Sequence, residues 1–305
     1  MSNSAAHSEV HPDLRRVARF APQQAVSRWR LPVVRALSKL VFRGAAPGVE
    51  VLTLPSGAGV RLFRPAGASE PGPAMVWIHG GGYVLGAAQQ DDALCRRFCR
   101  ELGITIASVE YRLAPEHPYP ASLEDCYSVL TWLARLPAVD PARLAVGGGS
   151  AGGGLAAALA LLARDRGEIG LAFQLLVYPM LDDRSADTPA SPYYRLWNPA
   201  ANRFGWNAYL GDADPNVAVP ARRDDLSGLP PAWIGVGGHD LFHDEDLAYA
   251  ERLVAAGVPC QVEVVDGAFH GFDMVAVKAP VSQRFFASQC EALRGGLALA
   301  GAQAG

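Results

Sequence analysis

The chain has no run of basic residues. Its 27 Lys and Arg stand against 30 Asp and Glu, for a formal net charge of −3. That balance removes the electrostatic basis of nucleic-acid binding. Long apolar runs are missing too. LAAALALLA (155–163) and LAFQLLVYPML (171–181) are the longest, well short of the ~20 residues a spanning helix needs. The first residues, MSNSAAHSEVHPDLRR, lack the charged-then-apolar order of a secretory signal. No CxxC pair occurs among the five cysteines, Cys95, Cys99, Cys126, Cys260 and Cys290. Cys95 and Cys99 stand four apart on a predicted helix, but no His or further Cys joins them, so no metal is expected. The odd, scattered set reads as five reduced thiols in a cytoplasmic protein. There is no internal repeat and no low-complexity tract.

Half of the 305 residues are hydrophobic, enough to bury the core of one large α/β domain or two small ones. Residues 12–43 carry apolar residues at mixed helical spacing and predict short amphipathic helices broken at Pro22 and Pro32. EVLTLP and GVRLFRP, joined by SGAG, predict a β-hairpin. Six apolar runs follow: AMVWIHG (74–80), ITIASVEY (104–111), RLAVGGG (143–149), FQLLVYP (173–179), AWIGVGG (232–238) and CQVEVVDG (260–267). Such runs suit strands buried on both faces. Helical patterns at 91–102, 123–136, 151–167, 244–257 and 281–297 lie between or after them, and the GAQAG end reads as frayed. The alternation predicts an α/β fold, a mostly parallel eight-stranded sheet with helices on both faces. Residues 182–230, rich in Pro, Asp and Asn, break the alternation. They read as an insertion over the carboxyl edge of the sheet, where ligands of such sheets bind.

GGGSAGGG (147–154) lies between the strand RLAVG and the helix LAAALALLA. A serine there sits on a sharp turn whose neighbours must be small. The pattern G-x-S-x-G, Gly148 to Gly152, in a strand–turn–helix context is that of a nucleophile elbow. A phosphate loop would need a Lys after the glycines, and none follows. A dinucleotide fingerprint can be laid over the glycines, but it would need an early position in the chain, and here the next strand, ending in YPMLDD, comes after two preceding strands and a helix pair, a poor fit. HGGGYVLG begins at His79, where the strand MVWI ends. Acyl transfer needs N–H donors aimed at the oxygen that becomes negative. Gly81 and Gly82 are candidates because no side chain screens their amides, and Ala151 gives a third. His79 reads as an anchor for this loop.

A hydroxyl nucleophile needs a base, and the base needs an orienting carboxylate. The order expected is Ser, Asp, His. His270, in DGAFHGF after the strand CQVEVVD, has the required position. His7, His11, His79 and His117 precede the serine, His239 belongs to the loop of the acid, and His243 lies at a helix start. Asp240, nearest the end of the strand AWIGVGG, is the candidate acid. Asp244, Glu245 and Asp246 suit helix-end capping.

From about residue 70 to its end, the chain resembles the hormone-sensitive-lipase-like group of α/β-hydrolase esterases. The resemblance rests on HGGG (79–82), YRLAPEHPYPA (111–121), GGSAGG (148–153), DLFHDE (240–245) and HGF (270–272). It implies a carboxylesterase acting on esters of short- to medium-chain acyl groups without a cofactor. Ser150 is then the nucleophile, Asp240 the acid and His270 the base, with Gly81, Gly82 and Ala151 as the oxyanion hole. It also implies a helical cap, here 1–45 and 185–215, over a catalytic domain of 46–184 and 216–305. FGWNAYLG (204–211) resembles the end of the family's cap helix. Tyr83, Tyr193, Tyr194, Trp197, Phe204 and Trp206 are candidates for the substrate pocket, and each has the alternative of being cap core. A homodimer through the last strand and helix would follow the family's habit. The chain departs from the family's GDSAGGN at Gly149 and Gly154, and Leu241 follows Asp240 where proline is usual. Two alternatives stay open: an amidase or formamidase on the same triad, and a non-catalytic ligand receptor on a hydrolase scaffold. Such receptors lose a triad member, and all three are present here.

Overall fold

The computed structural model describes residues 9–23, 31–41, 48–67 and 71–303. Eight strands form one sheet in the order β1-β2-β4-β3-β5-β6-β7-β8. They are β1 (Glu50–Thr53), β2 (Gly59–Phe63), β3 (Gly72–Ile78), β4 (Thr105–Glu110), β5 (Val139–Gly149), β6 (Phe173–Val177), β7 (Ala232–Gly237) and β8 (Cys260–Val265). The hairpin β1–β2 and its junction with β4 are antiparallel, and every later pairing is parallel.

The helices are α1 (Arg15–Ala18), α2 (Leu31–Val41), α3 (Asp92–Leu102), α4 (Ala121–Ala134), α5 (Ala151–Arg166), α6 (Pro199–Leu210), α7 (Pro215–Ala218), α8 (His243–Ala255), α9 (Phe272–Val275) and α10 (Pro280–Gln303). The period-2 geometry of a strand divides the core. Ala74, Val76 and Ile78 of β3 pack with α4, α5 and α8 on one face. Met75 and Trp77 pack with α3 and α10 on the other. Both faces are apolar because both are covered, which is why the central strands read as unbroken hydrophobic runs. Each fully buried aliphatic side chain contributes about 1.5–3 kcal/mol. The described helices include none long and apolar enough to cross a membrane.

Two details differ from the sequence expectation. Pro32 does not break a helix. It lies in the first turn of α2, where a missing N–H leaves no bond unmade. The final helix extends to Gln303, past the expected end at 297 and into the segment expected to fray. Parts of the N-terminal segment 1–45, His7 among them, fall outside the described residues.

The insertion between β6 and β7 holds α6, α7 and two short 3-10 turns. Asn198 caps α6 by accepting the amide of Ala201 at 2.9 Å, with Pro199 next in line, an arrangement that fixes where a helix starts. The N-terminal segment runs beside this insertion. Leu196 N donates to Pro22 O (2.7 Å) and Arg195 Nε to Ala18 O (2.9 Å). His11 N donates to Gly267 O (2.9 Å), and Val281 N donates to Asp13 Oδ2 (3.1 Å). The chain's early residues are thereby tied to four late ones.

Candidate active site

Ser150 lies between the end of β5 and the start of α5, with φ +58° and ψ −123°. A non-glycine residue there is strained, at a cost of roughly 1–3 kcal/mol. The strain is held by its surroundings: Ser150 N donates to Val177 O (2.9 Å), and Ser150 O accepts Met180 N and Gly154 N, each at 3.0 Å. The neighbouring glycines are required by packing. A Cβ on Gly148 would lie 2.6 Å from Ile78 O, and one on Gly152 would lie 2.6 Å from His79 O and closer still to Ile78 O. α5 is therefore pressed directly against the backbone at the end of β3, and Ser150 is lifted clear above it.

His270 Nε2 is 2.9 Å from Ser150 Oγ, and His270 Nδ1 is 2.8 Å from Asp240 Oδ2. Asp240 Oδ1 accepts the Phe242 amide at 3.0 Å. All three side chains are more than nine-tenths buried. The carboxylate fixes the tautomer with the proton on Nδ1, which leaves Nε2 as an acceptor for the hydroxyl proton. Phe242 and Tyr178 hold the imidazole edge-on, with ring centroids 5.0 and 4.9 Å away.

The HGGG loop passes beside this chain of bonds. His79 is fully buried and stacks on Tyr111 at 4.2 Å. Burial lowers its pKa to about 4, so it stays neutral, and its Nδ1–H donates to Gly80 O (2.8 Å). Tyr111 OH donates to His79 O (2.9 Å). The loop is thus anchored by His79 and by the first residue of YRLAPEHPYPA. Gly81 and Gly82 have φ of +127° and +59°, backbone shapes open to glycine. Gly80, Gly81, Gly82 and Ser150 share the wall of one cavity. Ala151 opens α5, so its N–H lies ahead of the intrahelical ladder and near the positive end of the helix dipole.

That cavity measures about 250 Å³ and has Ser150, His270 and Trp197 in its lining. Tyr83, Phe204 and Trp206, candidates from the sequence, are not part of the lining. Tyr83 stacks on Tyr209 at 4.1 Å and donates its hydroxyl proton to Met180 O (3.1 Å). Trp206 closes the same aromatic group. Phe204 faces a separate groove beside Leu31 and Arg35. Both Tyr83 and Trp206 are about 2% exposed or less, and serve as core beneath α6. Tyr193 stacks on His239 at 4.3 Å instead. Leu196, Tyr178, Asp91, Asp273 and Gln289 do line the cavity and were not singled out from the sequence. Asp273 had a signal available, three residues after His270 in HGFD.

The two departures in the serine motif are unlike in kind. A Cβ on Gly149 would meet Tyr178 at 3.5 Å, an ordinary contact. One on Gly154 would press on Met180 O and lie 2.6 Å from Tyr83 Oη. The space that the family fills with an amide is here held by Tyr83 and its bond to Met180. Gly154→Asn should therefore cost about 1–3 kcal/mol of stability, whereas Gly149→Asp should change it by less than about 0.5 kcal/mol. Thermal melts of both variants test this, and equal losses would contradict it.

The sequence pattern of the α/β-hydrolase fold family matches residues 75–274. Esterase LipI of Mycobacterium tuberculosis is 39% identical over 229 residues, covering 70% of this chain and 70% of that protein. Ethyl acetate hydrolase of Pseudomonas putida is 34% identical over 237 residues, with the same two coverages. The solved structure of a bacterial heroin esterase matches with a TM-score of 0.85 at 37% identity, over 94% of this chain and 98% of that one. A sheet of this order, carrying its serine on such an elbow and sharing more than a third of the aligned residues with these esterases, leaves one assignment: the chain belongs to the α/β-hydrolase fold family, among its hormone-sensitive-lipase-like carboxylesterases.

Proposed function

We propose that this carboxylesterase cleaves short- to medium-chain acyl esters through an acyl-enzyme on Ser150. The observation that carries the reading is the unbroken chain from Ser150 Oγ through His270 to Asp240, opening into the cavity. His270 Nε2 takes the hydroxyl proton as Oγ attacks the ester carbonyl carbon. The carbonyl oxygen becomes negative and is held by the amides of Gly81, Gly82 and Ala151. The C–O bond to the alcohol breaks, and His270 returns the proton to the departing oxygen. Water then attacks the acyl-enzyme with His270 again as base, releasing the acid and restoring Ser150. Asp240 stabilises the imidazolium at both stages.

We assign residues 1–45 and 185–215 to a cap, and 46–184 and 216–305 to the catalytic domain. Support comes from the bonds that join Ala18 and Pro22 to Arg195 and Leu196. Trp197 and Leu196 bring the insertion, and Val34 brings α2, to the cavity wall. Tyr83, Phe204 and Trp206 then act on substrate only through the packing of that cap. Five free thiols fit a reducing compartment, and we place the protein in the cytoplasm.

The test is hydrolysis of p-nitrophenyl esters of two to sixteen acyl carbons. A cavity enclosed by Trp197, Leu196 and Val34 rejects long chains by exclusion. Activity should peak at short chains and fall by about tenfold or more at sixteen carbons. A flat profile, or a maximum at sixteen, would remove the chain-length assignment.

A further inference from the structure

The cavity beside Ser150 is mostly apolar, but one part of its wall is not. Asp91, Asp273 and Gln289 all line it. They arrive from separate places: the residue ahead of α3, the helix α9, and the middle of α10. Asp91 is 6% exposed and Gln289 is 1% exposed. Each carboxylate has one oxygen committed within the protein. Asp91 Oδ2 accepts Trp77 Nε1–H at 2.8 Å, and Asp273 Oδ1 accepts the Tyr178 hydroxyl at 2.7 Å. Asp91 Oδ1 has no such bond among the described residues, and neither has the Gln289 amide, whereas the Asp273 carboxylate also receives its own backbone N–H and that of Met274.

The contrast with the adjacent residue is informative. Asp92 is equally buried, and both its oxygens are held by the Arg61 guanidinium at 2.6 and 2.5 Å. Buried carboxylates are normally paired in that way. Asp91 is not, and neither Lys nor Arg is among the residues lining the cavity. The other polar side chains lining the cavity are those of Trp77, Gln90, Ser150, Tyr178 and His270. Burial pushes the Asp91 carboxyl up to about 7, and the charges of Asp273 and Asp92 add to the rise. Burial also raises Asp273. A buried acid and a buried carboxamide with free acceptors, beside a second, half-buried acid and with no Lys or Arg in the lining, face a cavity that opens on the nucleophile.

We propose that Asp91, Asp273 and Gln289 form a cation-accepting end of the catalytic cavity, which selects esters carrying a protonated amine. This rests on Ser150 being the nucleophile of ester cleavage. The single N–H of a tertiary ammonium would donate to Asp91 Oδ1, with its positive charge also facing the Asp273 carboxylate, and a primary ammonium could donate to the Gln289 carbonyl as well. The ammonium relieves the repulsion between the acids, and the surrounding Leu85, Leu94 and Leu196 exclude the water that would compete. A neutral isostere of the same shape would leave Asp91 Oδ1 without a donor and the charge of Asp273 uncompensated.

Two matched pairs of esters make the test, because the amine can sit on either side of the scissile bond. On the alcohol side, 2-(dimethylamino)ethyl butyrate is compared with 3-methylbutyl butyrate. On the acyl side, ethyl 4-(dimethylamino)butanoate is compared with ethyl 5-methylhexanoate. At neutral pH the protein should favour the amine member in at least one pair, as a ratio of kcat/KM. Asp91→Asn should reduce that ratio roughly ten- to hundredfold, the range of a hydrogen bond to a charged group. Asp273→Asn is a second variant should the first fail to fold. No preference in either pair, or a preference that both variants keep, would overturn the proposal. Hydrolysis of p-nitrophenyl butyrate by the same preparations reports ester cleavage separately. Calorimetric titration of Ser150→Ala with the four esters gives the same preference as a ratio of Kd values, independent of turnover.

Discussion

Ser150→Ala should lower kcat/KM for p-nitrophenyl butyrate by about 10⁴-fold or more, the scale seen when a nucleophile that acts as one unit with its base is removed. With Oγ gone, no acyl-enzyme can form, and His270 Nε2 loses its partner at 2.9 Å. The amides of Gly81, Gly82 and Ala151 remain, so a residue of water-driven hydrolysis survives. The fold should be little affected. The backbone bonds of residue 150 to Val177, Met180 and Gly154 do not involve the hydroxyl, and alanine bears the same positive φ as serine at similar cost. The rate is read from p-nitrophenolate release, with a thermal melt as the control for folding. Turnover equal to that of the parent would remove Ser150 from the mechanism.

Asp240→Asn should have the next largest effect, a loss of about 10⁴-fold in kcat, since an amide in this place favours the wrong imidazole tautomer. Asp240 serves two donors at once, His270 Nδ1–H through Oδ2 and the Phe242 amide through Oδ1. An asparagine has one acceptor and one donor end. Its oxygen goes to Phe242 N, whose position is fixed by the backbone, and its NH₂ then faces Nδ1. The ring responds by carrying its proton on Nε2, where it can no longer accept from Ser150. The loss should fall in kcat with KM little changed, because the cavity wall is untouched. A large rise in KM at constant kcat would mean that Asp240 shapes binding rather than the base.

The triad was legible in the sequence because each member immediately follows a strand. Ser150, Asp240 and His270 come from loops just past β5, β7 and β8, which lie side by side or one strand apart in the sheet. Parallel strands place those loop starts on one edge, so chain order and strand endings suffice to bring the residues together. The glycines were legible for a related reason: their role is to be small, and no partner has to be known. The cavity wall was harder. Tyr83, Phe204 and Trp206 have the chemistry of pocket residues, yet the direction of a side chain depends on how its element is rotated and packed. Conversely, Asp91 and Asp92 look like ordinary acids at a helix start, and sequence does not separate the one paired with Arg61 from the one facing the cavity. Gln289 sits in a long helix whose buried face is mostly apolar, and only the packing of α10 against the sheet shows where it lies. Pro32 misled through a general rule applied at the wrong place, since a proline breaks a helix only beyond its first turn.

The bonds made by the first described segment have a consequence for how the protein is born. Residues 9–23 leave the ribosome before any of their partners. Ala18 and Pro22 wait for Arg195 and Leu196, His11 for Gly267, and Asp13 for Val281. At a synthesis rate of about 5–20 residues per second, the last of these partners emerges roughly 15–50 s later. His270, which we propose as the base, is also supplied by this late part of the chain. A nascent chain that stalls before it therefore carries the elbow serine without the imidazole that stands 2.9 Å from its hydroxyl in the fold.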